Sequence, residues 1–343
     1  MKNKIKILGA GISGLSAAIC LAKDRDVLVV EKNPTVGYKF KNELQAYKNY
    51  DHSVEDALDE IKKIGLKIEP YNSIYKVKKI FGTQEKVIQS KNPIYYLFLR
   101  GTENNDLETL ESQLLKQAKD MGVNFQFSKT TDTADIVATG TKYPNIFSFS
   151  GIFERAHIED AVYVIYDLKY VPGGYIYILP YKDKKILVSV VFFQERKPKN
   201  MKEVFMSLIR ENDPIYDIVK DSTLVSTTTG SGGYNKDSPI DMIDNRYYIG
   251  EAGGFLDPAR GFGLRYAILT AKLVSKAIIE NTSFSKLWMN YFGEELKLGY
   301  SRRSAFRTFD EKKLNSIFKN LDNNLDVHEY AKKRLELEKS EDD

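Results

Sequence analysis

The sequence has 343 residues, of which 51 are Lys or Arg and 47 are Asp or Glu, giving a formal net charge of +4 at pH 7. This mild excess is too small to argue for nucleic-acid binding, although it would tolerate an anionic membrane surface. The one cysteine, Cys20, excludes an internal disulfide and a thiolate metal cluster. No apolar run approaches the roughly 20 residues of a membrane span. We therefore expect a cytoplasmic protein, with peripheral contact to a membrane left open.

The beginning of the chain alternates strand, turn, helix and strand. Residues 4–8 and 26–30 are apolar runs of strand length, and the small residues at 12–21 favour a helix. Between the first strand and the helix lie three glycines at the G-x-G-x-x-G spacing, Gly9, Gly11 and Gly14. This order of elements predicts a dinucleotide-binding βαβ unit. The alternatives are a glycine-rich turn without a ligand and a signal peptide, whose cleavage would discard a strand and helix that the next strand needs.

Each residue type in this unit has a physical role. The first glycine permits a tight turn, the second leaves room for a pyrophosphate beside the backbone, and the third lets the helix lie close to the sheet. The helix N-terminus offers N–H groups to the phosphates. Glu31 follows the second strand, where a carboxylate accepts from a ribose 2′-hydroxyl and repels a 2′-phosphate. The predicted cofactor contacts are Gly9, Gly11, Ile12, Ser13, Gly14, Glu31 and Lys32.

The next part of the chain mixes short strands with two helices. A turn-rich loop at 32–37 leads into a basic, polar segment at 38–49. Apolar residues at helical spacing predict helices at 54–64 and 106–122, the second ending at a glycine. Short β-like runs predict strands at 74–77, 86–88, 95–99, 123–127 and 134–140.

The second half of the chain begins with longer, antiparallel-looking strands. Alternation and apolar runs predict strands at 162–166, 175–179 and 186–193, a strand-like start to 224–233, and another strand at 246–250. Helices are predicted at 201–212 and 264–280, and the remainder of the chain is predicted to be helical and increasingly charged.

A second glycine-rich motif occupies residues 250–264 and repeats the order of strand, acid, small residues, glycines and helix. Gly261 and Gly263 open the helix, so its N–H groups can face an anion or a carbonyl. Glu251 can accept from the hydroxyls of a polyol. A nicotinamide dinucleotide needs only the N-terminal unit, whereas a flavin dinucleotide also has a ribitol and a ring carbonyl to hold. The second motif therefore favours FAD.

The two motifs together resemble those of a flavoprotein group that contains aromatic hydroxylases, flavin-dependent halogenases and geranylgeranyl reductases. That group reads roughly G-D-A-A-G, a proline and G-x-G in the second motif, where this chain has Glu251 for the acid. The Asp-Gly motif of the hydroxylases is not recognisable. The resemblance implies FAD contacts at Arg100, Thr139, Gly140, Gly250, Glu251, Pro258, Gly261, Phe262, Gly263 and Leu264.

A third motif selects a branch of this group. Residues 172–180, P-G-G-Y-I-Y-I-L-P, resemble the P-G-G-Y-x-W-x-F-P signature of geranylgeranyl reductases, with Tyr177 for Trp and Leu179 for Phe. Strand alternation places Tyr175, Tyr177 and Leu179 on one face, which would line a slot for an apolar substrate or form ordinary core. Some relatives carry a cysteine near the flavin, but segment 36–50 has none, which puts a thiol-dependent step in doubt.

These motifs predict an α/β protein with a Rossmann-like FAD-binding domain built from discontinuous segments. The expected division is 1–50, 95–145 and 240–285 for the FAD domain, 51–94 and 146–239 for an inserted, mainly antiparallel substrate domain, and 286–343 for a C-terminal helical region. The three histidines have no metal-ligand spacing and no nucleophile partner, so no metal site is expected: His52, His157 and His328.

The function implied by the resemblance is FAD-dependent reduction of carbon–carbon double bonds in geranylgeranyl (isoprenoid) lipids. Tyr175, Tyr177 or a trapped water would supply the proton. The alternatives are a flavin-dependent monooxygenase or halogenase acting on an apolar aromatic substrate, and a non-catalytic flavin-bound scaffold. No second nicotinamide fingerprint is visible, so NADPH, ferredoxin and a deazaflavin all remain open as the external electron donor.

Overall fold

The computed structural model describes residues 4–49, 56–102, 108–156 and 158–321. Within these ranges the strands are β1 (Lys4–Leu8), β2 (Asp26–Val30), β3 (Lys41–Lys48), β4 (Asn72–Ile74), β5 (Lys76–Phe81), β6 (Gln84–Gln89), β7 (Tyr95–Gly101), β8 (Asn124–Gln126), β9 (Ile136–Val137), β10 (Ile146–Glu154), β11 (Val162–Tyr166), β12 (Tyr175–Pro180), β13 (Lys185–Phe193), β14 (Thr223–Gly232), β15 (Met242–Ile243) and β16 (Arg246–Tyr248). The helices are α1 (Ile12–Leu21), α2 (Ala57–Ile64), α3 (Leu110–Asp120), α4 (Met201–Glu211), α5 (Asp213–Val219), α6 (Leu264–Glu280), α7 (Phe284–Arg307) and α8 (Glu311–Asn320), with a short 3₁₀ helix at Gly250–Ala252. The three histidines, the predicted helix starts at 54–55 and 106–107, and the C-terminal residues 322–343 lie outside the described ranges.

A six-stranded sheet carries the predicted dinucleotide unit. Its order is β15-β16-β9-β1-β2-β8, and it is parallel except for the edge strand β15. Strands from three separate parts of the chain therefore meet beside β1, as the discontinuous motifs predicted. Ile7, Val29 and Ile136 are completely buried under the helices that pack on this sheet.

A seven-stranded, mainly antiparallel sheet of order β14-β10-β13-β12-β11-β5-β6 forms the second layer system. Helices α4 and α5 contribute to the core on one side of it, where Phe205 is fully buried and its ring lies 5.1 Å from that of Phe149. A three-stranded sheet, β3-β7-β4, shares a core with it through Leu44, Leu97, Leu179 and Leu187. The mixed α/β fold class is thus confirmed.

Several elements were not predicted from the sequence, among them a strand in a polar segment, a short helix and the edge strand β15. The polar segment at 38–49 contains strand β3, which pairs antiparallel with β7. The short helix α5 follows α4 after Asn212, whose side chain accepts from Ile215 N–H and caps the new helix.

Helix α2 packs in the same core as β1 and α1, through Ala57 and Ile61. The sequence-based division into domains stays a prediction.

Helices α7 and α8 confirm the expected helical character of the described C-terminal part. Trp288 and Phe292 of α7 pack against Phe255, with ring centroids 5.2 and 6.0 Å from it. This contact places α7 directly behind the second glycine-rich motif. In the part of the chain that the structure describes, no helix is both long and apolar enough to cross a membrane.

Candidate functional site

The three glycines of the first motif divide into two packing positions and one open position. Gly9 has φ of +106°, and a Cβ there would lie 2.5 Å from the Ala138 carbonyl oxygen. At Gly14 a Cβ would lie 1.9 Å from the Gly9 oxygen, so this residue lets α1 sit against the strand ends. A Cβ at Gly11, in contrast, would meet no atom within 4 Å. The middle glycine borders open space.

That open space suits an anion. Gly11 is the N-cap of α1 and provides no side-chain cap, and the first turn of the helix carries no acidic residue. The N–H groups of this turn therefore lack the partners that a capping side chain would supply. An N-terminus of this kind attracts phosphate through its N–H donors and its dipole. The cradle fits the pyrophosphate of a dinucleotide.

Glu31 is fixed beside this cradle. Its carboxylate accepts from Ala10 N–H at 2.8 Å and from both the backbone and the side-chain N–H groups of Asn33 at 2.8 and 2.7 Å. Each carboxylate oxygen can accept more than one hydrogen bond, so a ribose hydroxyl is still compatible with this arrangement. Across the cradle, Thr139 and Gly140 line the same cavity at the end of β9, and exposed Lys32 lies at its border.

The two glycine motifs abut. A Cβ at Gly250 would lie 2.1 Å from Ser13 Oγ, and φ at this glycine is +56°. Glu251 follows in the 3₁₀ helix and faces Gly263, where an added Cβ would lie 3.2 Å from its Oε1. Burial raises the pKa of the Glu251 carboxyl above its ordinary value, while the Lys39 and Arg100 charges act in the opposite direction.

The loop between Glu251 and α6 is held by its own contacts. Lys48 Nζ lies 3.0 Å from Asp257 Oδ2 and 4.4 Å from the ring centroid of Phe262. The Phe262 ring stacks on Tyr95, with centroids 6.2 Å apart. This loop presents Gly261, Phe262, Gly263 and Leu264 to the cavity in a fixed arrangement.

Three of the predicted contacts do not line the cavity: Gly14, Gly250 and Pro258. The first two are the close-approach positions described above. Pro258 packs on α7 at Gly299, where an added Cβ would lie 2.7 Å from the Pro258 Cδ. This close packing gives each of the three residues a structural role. A direct cofactor contact at any of them stays a prediction.

Arg100 lies inside the protein at the cavity wall and is only 6% exposed. Its Nη2 lies 2.6 Å from Glu111 Oε1, its Nη1 donates to the Gln45 side chain, and its guanidinium covers the Phe40 ring at 4.3 Å. The Arg100 charge is therefore already compensated by Glu111. For the predicted contact with the FAD phosphates, the Arg100 guanidinium would have to bind the phosphates and Glu111 at the same time.

One cavity of about 750 Å³ joins these elements to the face of β12. This volume is in the upper part of the roughly 300–1,000 Å³ range of small-molecule sites. Tyr175 and Tyr177 are half-buried in its wall, which also contains the buried residues Leu179, Leu187 and Val191. The Tyr175 hydroxyl donates to the Arg260 carbonyl at 2.6 Å. Burial raises the pKa of both tyrosines, so both hydroxyls keep their protons at neutral pH.

The sequence analysis missed a carboxylate in this cavity, Glu43 of β3. Burial raises the pKa of its carboxyl above the ordinary value, and its hydrogen bonds to Thr228 and to the Lys41 backbone oppose that shift. The available signal was the alternation of Tyr38, Phe40, Leu44 and Ala46 with polar residues, which indicates an extended strand with one buried face.

Comparison of the sequence with known proteins matches parts of the chain. The NAD(P)-binding Rossmann-like domain family matches residues 7–55. Digeranylgeranylglycerophospholipid reductase 2 of Methanopyrus kandleri is 24% identical over 178 residues, which are 48% of this chain and 44% of that protein. The chain spans less than half the length of each of the three curated relatives it matches.

Two solved structures cover nearly all of the chain. A geranylgeranyl bacteriochlorophyll reductase-like protein of Thermoplasma acidophilum superposes with a TM-score of 0.75 at 16% identity, covering 95% of this chain and 93% of that one. The myxobacterial FAD-dependent halogenase CndH gives 0.58 at 14% identity, covering 93% and 89%. The chain has the fold of FAD-dependent flavoproteins. These matches confirm the resemblance to geranylgeranyl reductases and the fold expected of an FAD protein, and halogenases share that fold.

Proposed function

We propose that the protein binds FAD in this cavity and reduces carbon–carbon double bonds of a geranylgeranyl lipid. The observation that carries the proposal is the continuity of the cavity, which runs from the open space at Gly11 to the tyrosine face of β12. A cofactor laid along the two glycine motifs would place its reactive end against apolar side chains. The names of the similar reductases support the isoprenoid substrate class.

FAD supplies the redox chemistry, and the protein contributes binding, orientation and exclusion of water. The cradle at α1 would bind the pyrophosphate, Glu31 the adenosine ribose, and Glu251 the ribitol. The Asp257–Phe262 loop, fixed by Lys48, would hold the flavin ring without needing to reorganise. An apolar wall suits an unactivated alkene, which offers few polar handles.

Tyr177 is the better placed of the two tyrosines for proton donation. The hydroxyl proton of Tyr175 is already donated to the Arg260 carbonyl, and withdrawing it would remove that hydrogen bond. Tyr177 lies opposite Ser189 of β13 in the sheet, and Ser150 Oγ donates to Ser189 Oγ at 2.8 Å.

The test combines identification of the cofactor with an anaerobic turnover. Purified protein should release FAD, not FMN, on denaturation. After reduction with dithionite in the absence of oxygen, added geranylgeranyl phospholipid should gain two hydrogens per reduced bond by mass spectrometry. One equivalent of NAD with no flavin, or FAD that is reduced and leaves every double bond intact, would contradict the proposal.

A flavin-dependent monooxygenase or halogenase is the second candidate, because the fold is shared with the halogenase CndH. The two candidates differ in their need for oxygen. An oxygenating enzyme would couple oxygen-dependent flavin oxidation to a product that gains an oxygen or a halogen atom. A scaffold protein would bind FAD that no physiological donor reduces.

A further inference from the structure

Arg303 of α7 lines the same cavity beside the P-G-G-Y segment. The residue is 4% exposed. Its Nη2 donates to the Gly173 carbonyl oxygen at 2.5 Å, and its guanidinium lies 4.0 Å from the ring centroid of Phe193. Its buried Nε has no hydrogen-bond partner. The guanidinium thus lacks the set of acceptors that would satisfy its five donors.

The charge of Arg303 is not balanced by any carboxylate of the described residues. Among residues 4–49, 56–102, 108–156 and 158–321, no carboxylate lies within ion-pair distance of this guanidinium. Asp167, a carboxylate in the cavity wall, accepts instead from Tyr170 N–H at 2.9 Å and from Asn212 Nδ2 at 3.0 Å. Arg307, one turn further along α7, adds a repelling positive charge. Burial lowers the pKa of Arg303 to about 10, which still leaves it protonated at neutral pH.

A buried, unpaired cation carries a large desolvation penalty. The Phe193 ring and one carbonyl offset only part of such a penalty. Arg100 in the same cavity shows the contrast, because Glu111 pairs with it directly. Within the part of the chain that the structure describes, no anion faces Arg303, and the guanidinium borders the cavity.

We propose that Arg303 binds an oxyanion, a phosphate or a carboxylate, carried at one end of the apolar ligand of this cavity. Guanidinium binds both groups through paired N–H donors. The neighbouring walls are apolar, with Phe306 and Phe309 packed edge to face at 4.8 Å, so a chain attached to the anion has surface to cover. The inference deepens the proposed function and rests on it for the apolar part of the ligand.

The test measures binding to the FAD-loaded protein with four probes: geranylgeranyl phosphate, geranylgeranoic acid, geranylgeraniol and inorganic phosphate. Wild type should bind the two anionic lipids about 10- to 100-fold more tightly than the alcohol, as expected for a charged hydrogen bond. Arg303→Met should remove this preference and leave alcohol binding unchanged. Arg303→Lys should restore part of it, and Arg307→Met, which removes a nearby exposed charge, should retain it.

Other readouts separate this role from a structural or a cofactor-binding one. Arg303→Met should retain FAD and melt at or above the wild-type temperature, because an unpaired buried charge is removed. Loss of FAD or of fold on this substitution would overturn the proposal. So would equal binding of alcohol and phosphate by wild type, or inorganic phosphate binding as tightly as the lipid phosphate. If the preference holds but no double bond is reduced, the proposed reductase function fails and the oxyanion site stands.

Discussion

The Gly11→Ala and Gly14→Ala pair separates cofactor binding from packing within one motif. At Gly11 the backbone has φ of −79° and an added Cβ meets nothing within 4 Å. Alanine there is conformationally allowed, so the free energy of unfolding should change by less than about 1 kcal/mol, or increase slightly. At Gly14 the same Cβ would lie 1.9 Å from a backbone oxygen, which forces α1 away from the strand ends.

The consequence for FAD follows from the same geometry. The methyl group of Gly11→Ala occupies the open space in which the pyrophosphate would contact the helix N-terminus. Losing one charge-assisted hydrogen bond costs about 1.5–3 kcal/mol, which corresponds to about 10- to 100-fold in FAD affinity. Flavin fluorescence titration of the apoprotein measures this affinity, and thermal melting measures stability.

Gly11→Ala should therefore weaken FAD binding in a protein of normal stability, whereas Gly14→Ala should lower stability and FAD binding together. Wild-type FAD affinity in Gly11→Ala would refute the placement of the pyrophosphate. A large drop in the melting temperature of apo Gly11→Ala would show that the space beside Gly11 is not open.

Three further predictions concern single side chains. Glu31→Ala should lower FAD affinity by about 1–3 kcal/mol in the same titration, because the ribose hydroxyl loses its acceptor. Glu31→Gln is the milder control. Unchanged affinity would move the ribose contact elsewhere. Tyr177→Ala should retain FAD but lose turnover of a geranylgeranyl substrate, and its free energy of unfolding should fall by much less than the about 3–5 kcal/mol lost on truncating a core aromatic residue. Tyr177→Phe should keep the wild-type stability and lose only proton delivery. Global unfolding of the alanine variant would make Tyr177 a core residue. Burial raises the pKa of Glu43 above its ordinary 4.5, so the folded protein holds this proton more tightly and loses stability as pH rises from 4.5 through the folded-state pKa. Apo Glu43→Gln should melt increasingly above wild type across that range and show no pH-dependent gain below it; a constant difference would contradict the assigned shift.

The sequence predicted the parts of the fold that are governed by local rules. Helix α6 was predicted at its observed bounds because Gly263 precedes a long amphipathic run. The first βαβ unit was likewise predicted from local features, its apolar runs and the spacing of its three glycines. The pairing of β3 with β7 joins residues 47 to 60 positions apart, and Leu44 and Tyr47 are the buried apolar residues of β3. Local periodicity carries no information about such a partner.

The candidate site was predictable where glycine spacing encodes geometry, and not where it depends on tertiary contacts. Nothing local to Arg303 distinguishes it from Arg302 beside it, because its burial depends on packing against Phe193 and Gly173. The compensation of Arg100 by Glu111 likewise required the position of α3 next to the end of β7. Charge pairing inside a cavity is a property of the assembled fold.

The most direct test of the central claim is a single-turnover experiment without oxygen. Dithionite-reduced, FAD-loaded protein freed of excess reductant should remain reduced by absorbance until a geranylgeranyl phospholipid is added. The account predicts that the flavin then reoxidises in proportion to the double bonds saturated, counted by mass spectrometry of the lipid. Flavin that stays reduced with the lipid, and reoxidises only when oxygen is admitted, would contradict it.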